Sequence, residues 1–449
     1  MLDNEYIAIG VLALVFFLII ERRKINNIPI WTSMLIGAGL FVGLQVISIE
    51  DAFKAINLDV IIFLFGMFSI VSALDRSGVL KYVAAKMLDK ANGNVNSILL
   101  IFVVGLGSLS SFLVNDTIAL LGIPLVIHIA RQIRVRPTVL FIALAFGISI
   151  GSVMTPIGNP QNLLIAIKSG ISLPFLTFMK WLVIPTVLNL ILTYFILKVY
   201  FKKELSVHNN VYNNNTKITT AIRDNDEPSS INIITNPYLA KISVIIILLT
   251  IAGFIISEVH QFFLHTTYFS ISVIAALGAI ALYALSNNER REILYNVDYS
   301  VLVFFAAMFV FTAALWTSGL IPDIMSKIPN PVPDHNNRIR NNAIISIVSI
   351  TFSQILSNVP FVALYNNVMI SNGFNADDVS EWVMLAAAST IAGNLTIFGA
   401  ASNIIIIEAA ESRGVKAFSY NEFLKIGFIV TVTNLAVYYF FITFLFGRI

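Results

Sequence analysis

Long apolar runs separated by short polar breaks cover most of this chain. A run of about 20 apolar residues can cross a bilayer, so the longer runs predict transmembrane helices. The shorter runs come in adjoining pairs and predict re-entrant hairpins or broken helices, because irregular backbone at membrane depth is tolerated only where it lines a protein cavity. The runs lie at 6–20, 29–48, 60–75, 97–114 with 118–130, 138–154 with 162–170, and 178–200, then at 238–257, 268–285, 299–317, 343–358 with 360–370, 382–395 with 403–410, and 423–446.

The two halves of the chain repeat each other. Identical residues recur at an almost constant offset, either 241 or 243 positions, over a long part of each half. An apolar bias alone does not maintain such a register, so the pattern predicts an internal duplication. The matched positions include Met67 with Met308, Ser77 with Ser318, Thr155 with Thr396, Gly158 with Gly399, Asn162 with Asn403, Ser110 with Ser353, and Asn115 with Asn358.

The predicted fold is an all-α polytopic membrane protein built from two inverted repeats of five crossings. Each repeat contains a re-entrant hairpin and a broken helix, and the odd number of crossings inverts the second repeat relative to the first. The polar residues 201–237 predict a flexible linker, since their composition cannot build a core. The first repeat covers 1–200, with its hairpin at 97–131 and its broken helix at 138–170, and the second covers 238–449, with its hairpin at 343–371 and its broken helix at 382–411.

The distribution of positive charge predicts the orientation. With both termini outside the cell, 21 of the 28 Lys and Arg residues fall on the cytoplasmic side and 7 fall outside. Cytoplasmic loops carry the excess of Lys and Arg, so this arrangement is favoured over its reverse. It places the linker in the cytoplasm of a multi-pass protein of the cell membrane. The acidic first residues predict a retained first span rather than a cleaved signal peptide.

Composition excludes several classes of protein. The chain is 57% hydrophobic and 12% charged, with a mean hydropathy of +0.85, as in polytopic membrane proteins. It has no Cys, which excludes disulfides, thiolate metal sites and a cysteine nucleophile. A net charge of +3 gives no indication of a nucleic-acid partner. No phosphate-binding glycine loop, nucleophile elbow or metal-binding helix motif is present, so we do not expect an enzyme.

Asp116 is the acidic residue with long apolar runs on both sides, within the sequence Ser110 to Thr117. Inserting an Asp at the centre of a membrane costs roughly 2.5 to 3.5 kcal/mol. A cation, a proton or a polar cavity must offset that cost. Asp116 is therefore predicted to bind the coupling ion, and the alternative is a structural hydrogen bond to a neighbouring helix.

Four irregular stretches fall near one depth and form two symmetry-related pairs. Helix N-termini at such breaks attract anions, while unwound carbonyls and Asn, Thr and Ser oxygens bind cations. We predict no bound metal and no cofactor other than a coupling proton or sodium ion. The predicted substrate-binding residues are Asn115, Thr117, Thr155, Gly158, Asn159, Asn162, Ser357, Asn358, Asn394, Thr396, Gly399, Ser402 and Asn403.

The four breaks contain the motifs Phe-Leu-Val-Asn-Asp-Thr, Thr-Pro-Ile-Gly-Asn-Pro-Gln-Asn, Leu-Ser-Asn-Val-Pro and Ala-Gly-Asn-Leu-Thr-Ile-Phe-Gly-Ala-Ala-Ser-Asn. These sequences resemble the ion transporter superfamily. The arsenite permease and NhaD-type antiporter branch is the most similar, close to the anion permeases grouped with citrate and dicarboxylate carriers. The resemblance implies secondary transport, a dimerising scaffold and an elevator-like domain that holds the hairpins. The dicarboxylate carriers have Ser-Asn-Thr at such breaks, whereas this chain has Asn-Asp-Thr at the first break and Ser-Asn-Val at the second.

The expected function is secondary active transport of a small anion or oxyacid, such as arsenite or a carboxylate, across the cell membrane, coupled to a proton or another cation. The expected partners are this substrate, the lipid bilayer and a second copy of the chain. Sodium–proton exchange at Asp116 is the alternative within transport. A channel or a non-transporting receptor is the alternative from another class, but inverted breaks suit alternating access better than one continuous pore.

Overall fold

A computed structural model describes residues 4–21, 28–91, 94–206, 234–264, 269–327, 330–334 and 337–446, and these ranges contain helices and no strand. The first half contains α1 (Asn4–Ile20), α2 (Ile30–Gly43), α3 (Ile49–Ala55), α4 (Leu58–Arg76), α5 (Val79–Asp89), α6 (Val95–Leu100), α7 (Leu106–Leu113), α8 (Asn115–Gln132), α9 (Pro137–Gly151), α10 (Pro160–Lys168), α11 (Pro174–Tyr200) and α12 (Lys202–Ser206). The second half contains α13 (Pro237–Leu264), α14 (Ile271–Leu285), α15 (Arg290–Tyr295), α16 (Tyr299–Thr317), α17 (Leu320–Ser326), α18 (Arg338–Leu356), α19 (Asn358–Ser371), α20 (Val379–Ala392), α21 (Ala401–Glu411) and α22 (Tyr420–Phe440).

Membrane-length helices dominate the described ranges. Seven are long and apolar enough to cross a bilayer, or eight when α14 and the bent segment after it are counted as one span. Three apolar helices are shorter, among them α1 and α2. The prediction of an all-helical polytopic membrane protein is confirmed.

The two halves contain the same helices in the same order. Helices α1 to α5 correspond to α13 to α17, α8 to α11 correspond to α19 to α22, and α6 with α7 corresponds to α18. A π-helical turn at Ile101–Gly105 joins α6 to α7. Local details repeat as well, since Gly78 and Gly319 both have a positive φ after α4 and α16. The duplication inferred from the sequence therefore extends to the backbone.

Matched residues of the two halves touch each other near a pseudo-twofold axis. The Ser149 hydroxyl donates to the Thr390 carbonyl, and these two residues are 241 positions apart. Thr193 and Asn434, also 241 apart, form a hydrogen bond where α11 crosses α22. A residue can contact its own counterpart only near the axis that relates the repeats. The axis accordingly passes between α9 and α20 and between α11 and α22.

The helices pack into two bundles that each combine both halves of the chain. The frame bundle consists of α1, α2, α4, α13, α14 and α16, with α2 packed on α16 and α14 packed on α4. The hairpin bundle consists of α7 to α11 and α18 to α22, with α8 packed on α21 and α19 packed on α10. Every residue of α9 from Thr138 onward is buried, so this helix forms the centre of the hairpin bundle. The main contacts between the bundles join α16 to α19 and α11 to α13.

The predicted linker differs from the structure at its first residues. Lys202–Ser206 forms a short helix directly after α11, where the sequence predicted a flexible segment. Arg136 explains this order, because its guanidinium holds Glu204 at 2.8 Å and Glu422 at 2.8 Å. The part of the linker at 207–233 lies outside the described residues.

Candidate functional site

Each hairpin turns at one strained residue. Between α7 and α8 the turn is made by Val114, whose φ is 60°, and between α18 and α19 it is made by Ser357, whose φ is 64°. A positive φ is uncommon for any residue other than glycine, and for the β-branched Val114 it is a genuine outlier, so such strain persists only where the surrounding structure imposes it. The two tips are therefore fixed points at which α8 and α19 begin.

Each broken helix has an extended segment between its two helical parts. Helix α9 continues into one 3₁₀ turn at Ser152–Met154, and the chain is extended at Thr155 before α10 begins at Pro160. In the second half α20 ends at Ala392, a 3₁₀ turn covers Ile397–Gly399, and α21 begins at Ala401. Both breaks thus produce a helix N-terminus inside the hairpin bundle.

Asparagine side chains hold the first break in place. The Asn159 side-chain oxygen accepts from the Asn162 amide N–H at 2.9 Å and thereby caps α10. The Asn162 side chain donates to the carbonyls of Val153 and Thr155 at 3.2 and 3.1 Å. The Thr155 hydroxyl donates to the Ser111 carbonyl, which ties this break to the first hairpin.

The second break repeats part of this design. The Asn403 side chain, which matches Asn162, donates to the Gly393 carbonyl at 2.7 Å. The Thr396 hydroxyl donates to the side-chain oxygen of Gln354 at 2.7 Å and so joins the break to the second hairpin. Helix α21 begins at Ala401 without a side-chain cap.

The first hairpin tip is bonded directly to the first broken helix. The Asn115 amide N–H donates to the Gly158 carbonyl at 2.9 Å. A Cβ at Gly158 would collide with the Ser152 carbonyl group. This close approach of the two backbones therefore requires glycine at position 158. The first hairpin and the first broken helix are therefore joined directly through their backbones.

Four helix N-termini open onto one cavity of about 260 Å³, called here the smaller cavity. Helix N-termini carry free N–H groups and the positive end of the helix dipole, so four of them together form a site suited to an anion. The frame bundle closes the opposite wall with the start of α16. Lining residues from the N-termini are Asn115 and Asp116 of α8, Pro160 and Gln161 of α10, Asn358 and Val359 of α19, and Ala401 and Ser402 of α21.

Two polar groups in the smaller cavity are available to a ligand. The Ser402 residue is 1% exposed, and its hydroxyl makes no hydrogen bond with the described residues. The Asp116 carboxylate likewise accepts no hydrogen bond from the part of the chain that the structure describes. Among the described residues no Lys or Arg lines this cavity, and Glu408 of α21 adds a further carboxylate to its wall. The helix N-termini are therefore the source of positive charge among the described lining residues, and they face the three carboxylates Asp116, Asp298 and Glu408.

A larger cavity of about 840 Å³ meets the smaller one at Asp116, Asp298 and Val301. It runs between α4 and α5 of the first half and the side of α8. Asp298 caps α16, where its carboxylate accepts from the Val301 amide N–H at 3.3 Å. Asp116 of the hairpin bundle and Asp298 of the frame bundle therefore stand together where the two cavities join.

The structure separates the predicted site residues into those that line a cavity and those that do not. Of these residues, Asn115, Asp116, Asn358 and Ser402 line the smaller cavity. Thr117 lines the larger cavity, and Ser357 lines a third, mostly apolar cavity of about 280 Å³. The others hold the backbone of the breaks or are buried behind them, namely Thr155, Gly158, Asn159, Asn162, Asn394, Thr396, Gly399 and Asn403.

Several lining residues were not among the predicted site residues. Asp298 is the N-cap residue of α16, at the start of a span, and it also lines both cavities. Gln161 follows Pro160 in the first break and donates to the Thr390 hydroxyl at 3.1 Å. Trp31 belongs to α2 of the frame bundle. The motif containing Gln161 was visible in the sequence, whereas nothing local indicates that Trp31 reaches the site.

Comparison with known proteins gives matches over nearly the whole chain. The family model described as "citrate transporter" matches residues 15–392. The chain is 28% identical over 438 residues to the 46 kDa membrane protein of Mycobacterium leprae (strain TN), covering 96% of each chain. It is 26% identical over 438 residues to the silicon efflux transporter LSI3 of Oryza sativa subsp. japonica, covering 88% of each. The solved YdaH transporter of Alcanivorax borkumensis aligns with 99% of this chain and 98% of its own, at a TM-score of 0.46 and 10% identity.

Proposed function

The chain belongs to the citrate transporter family and is a membrane transporter rather than an enzyme, and we propose that it performs secondary active transport of a small anion or oxyacid coupled to a proton or cation. The convergence of four helix N-termini on the smaller cavity carries this proposal. N–H groups and dipole ends favour a ligand with negative or partial negative charge. The free hydroxyl of Ser402 adds one more hydrogen-bonding group.

The substrate is small and weakly charged. Among the described residues that line the smaller cavity there is no Lys or Arg to neutralise a multiply charged anion. Helix termini supply only partial charges, equivalent to about half an elementary charge each. A monoanion or a neutral oxyacid such as arsenite fits these conditions better than fully ionised citrate, although the family takes its name from citrate.

Asp116 binds the coupling ion. Its carboxylate has no hydrogen-bond donor among the described residues and faces both cavities, so it is open to a proton or a cation. Asp298 lines the same junction, and two carboxylates at one junction disfavour an empty, fully ionised state. Binding of a cation or proton relieves that repulsion and lowers the electrostatic cost of placing an anion in the smaller cavity.

Transport follows an elevator mechanism in a homodimer of the cell membrane. The smaller cavity lies between the hairpin bundle and the frame bundle, so movement of one bundle past the other would carry a bound ligand across the membrane. The hairpin bundle holds the four N-termini on one unit, while the frame bundle contributes Asp298 and Val301 to the opposite wall. The frame bundle would form the dimer contact and remain still.

A thermal-shift screen of the purified protein tests the substrate class. Arsenite, antimonite, sulfate, phosphate, citrate, sodium and lithium are compared at one pH, because specific binding stabilises the native state through mass action. A ligand of the smaller cavity should raise the melting temperature of the native protein and should have a smaller effect on Ser402→Ala. Ser412→Ala is the matched control, since Ser412 donates to a backbone carbonyl outside the cavity. An equal shift in all three proteins would contradict binding at the smaller cavity.

Sodium–proton exchange is the second candidate function. The observation that favours it is the pair Asp116 and Asp298, which together could hold a monovalent cation where the cavities join. Proteoliposomes that report internal pH distinguish the two functions. Sodium-driven proton movement in the absence of any anionic substrate would establish the exchanger and set aside the anion transporter.

A further inference from the structure

We propose that the larger cavity is an antechamber that concentrates small anions before they reach the smaller cavity. This inference rests on the proposed function, because an antechamber for anions is useful only to an anion transporter. Its evidence is the charge of the side chains that line the larger cavity. The cavity has a volume of about 840 Å³ and meets the smaller cavity at Asp116, so a solute can wait in one before it occupies the other.

Three cationic side chains from three different elements line the larger cavity. Lys81 belongs to α5, Arg131 to the last turn of α8, and Arg413 to the turn after α21. Two of them therefore come from the hairpin bundle and one from the segment that follows α4 of the frame bundle. Their convergence on one cavity is a property of the fold, since the three positions are far apart in the sequence.

These cations are available to a ligand. Neither Lys81 nor Arg131 forms a salt bridge with a residue in the described ranges. Arg413 donates one N–H to the Ala409 carbonyl at 2.7 Å, and its guanidinium has further donors. All three side chains are exposed, which fits a cavity open to water.

The charges are separated along the cavity. Asp116 lies in the first turn of α8 and Arg131 in its last turn, and a helix of this length holds the two charges roughly 20 Å apart. Helix α21 begins at the smaller cavity and Arg413 follows its last turn, so both arginines lie far from the inner carboxylates, at the end called here the mouth. Lys81 and the carboxylate Asp75 also line the larger cavity and interact with each other. The inner end holds the two carboxylates Asp116 and Asp298. A cleft lined by one sign of charge raises the local concentration of the opposite ion, so the mouth attracts anions.

The inner carboxylates give the antechamber a second property. An anion in the mouth would be repelled by ionised Asp116 and Asp298 until a proton or cation neutralises part of their charge. Binding of the coupling ion would therefore precede entry of the anion into the smaller cavity. The antechamber would thus keep the substrate close while its passage depends on the coupling ion.

Charged thiol reagents measure the electrostatic potential of the antechamber without any assumption about the substrate. The chain has no Cys, so Leu120→Cys on the wall of the larger cavity introduces one reporter thiol. The protein is placed in lipid nanodiscs, where both faces are accessible. Its reaction rates with an anionic and a cationic methanethiosulfonate are each divided by the rates for a free thiol. The resulting ratio, anionic over cationic, removes the intrinsic reactivity of the cysteine.

We expect a ratio well above one for Leu120→Cys, decreasing at least threefold when Arg131→Gln and Arg413→Gln are added together. It should also decrease with rising ionic strength. The control is Lys86→Gln with Lys90→Gln, which also removes two positive charges. These two lysines lie in α5 and the turn after it and do not line the larger cavity. A second reporter at Asn288, exposed and outside the larger cavity, should have a ratio that the arginine changes leave unaltered.

A ratio near or below one, an equal decrease in the arginine and lysine variants, or no reaction at Leu120→Cys would each overturn the antechamber. Citrate serves as a competing anion and should slow the labelling of Leu120→Cys more in the parent protein than in the double arginine variant. These rates do not require transport. Failure of the antechamber and absence of coupled flux would therefore be observed separately.

Discussion

At the scale of single residues, the polar side chains of the breaks serve two different purposes. Asn159, Asn162 and Asn403 use their amide groups to satisfy backbone atoms where the helices are interrupted. Ser402 instead keeps a buried hydroxyl without a partner among the described residues beside the cavity. Other buried polar atoms among the described residues also lack a partner, but Ser402 is the one of them that lines the smaller cavity, so its hydroxyl is placed to meet a ligand.

Replacing Asn162 and Ser402 should separate stability from binding. Asn162→Ala removes a side chain that serves several backbone carbonyls, and we expect a loss of about 1 to 3 kcal/mol in the free energy of unfolding. Ser402→Ala breaks no hydrogen bond within the described protein and should leave the thermal unfolding midpoint unchanged or higher. Thermal unfolding in detergent measures both. Equal destabilisation by the two substitutions would contradict this division.

The residue types of the site could be predicted from the sequence. Which of them line a cavity and which hold the backbone of a break could not. Asn and Thr at a break look the same in sequence whether they bind a ligand or a carbonyl. Asn115 and Asn162 illustrate this, since the first lines the smaller cavity and the second faces the backbone. Asp298 and Trp31 come from the frame bundle, and their distance from the breaks in sequence conceals their proximity.

At the scale of elements, the sequence predicted the hairpins and breaks because Gly, Pro and Asn interrupt apolar runs in matched positions. It did not predict how α11 begins. The N-cap residue Leu173 has no capping side chain, and the first N–H groups of α11 are satisfied by Glu258 of α13. The Glu258 carboxylate accepts from Phe175 at 2.6 Å and from Leu176 at 2.9 Å. A contact over such a distance in sequence leaves no local pattern.

Glu258 should stabilise the junction between the two bundles. It is 5% exposed, and Glu258→Ala would leave two helix N–H groups without their acceptor. Hydrogen bonds to charged groups contribute about 1.5 to 3 kcal/mol each, so the melting temperature should decrease clearly. Glu258→Gln should have an intermediate effect, because it keeps one carbonyl oxygen and loses the charge at the positive helix end.

Glu50→Gln is the control for that change. Glu50 is exposed and its partner Lys54 lies on the same short helix, so the pair contributes little to stability. The melting temperature of Glu50→Gln should match that of the parent protein. A melting temperature for Glu258→Ala equal to that of Glu50→Gln would show that the α11 N-terminus is stabilised by other groups.

At the scale of the whole molecule, the interlocked arrangement of the repeats explains why one site forms. Each bundle takes helices from both halves, and the pseudo-twofold axis brings both hairpins and both breaks to one cavity. The sequence predicted the repeats from their register and the membrane helices from their apolar length. The exchange of α2 and α14 between halves depends on packing, and no periodicity in the chain indicates it.

The orientation remains a prediction that labelling in intact cells can test. Single cysteines are introduced at Asn288, on the predicted cytoplasmic side, and at Asp377, on the predicted outer side, both of which are exposed. A membrane-impermeant thiol reagent should label the cysteine at Asp377 and spare the one at Asn288 until the cells are opened. Labelling with the opposite preference would reverse the assignment of the two faces.

Coupled flux through Asp116→Asn tests the central claim most directly. The substitution keeps the size of the side chain and removes its negative charge and its ability to take up and release a proton. Because a neutral amide is cheaper in the membrane than a carboxylate, we expect the variant to fold and insert. In proteoliposomes, proton- or sodium-driven flux of the anion found by thermal shift should fall to background per inserted protein, while Asp377→Asn keeps the parent rate. Parent-level coupled flux from Asp116→Asn would contradict the account.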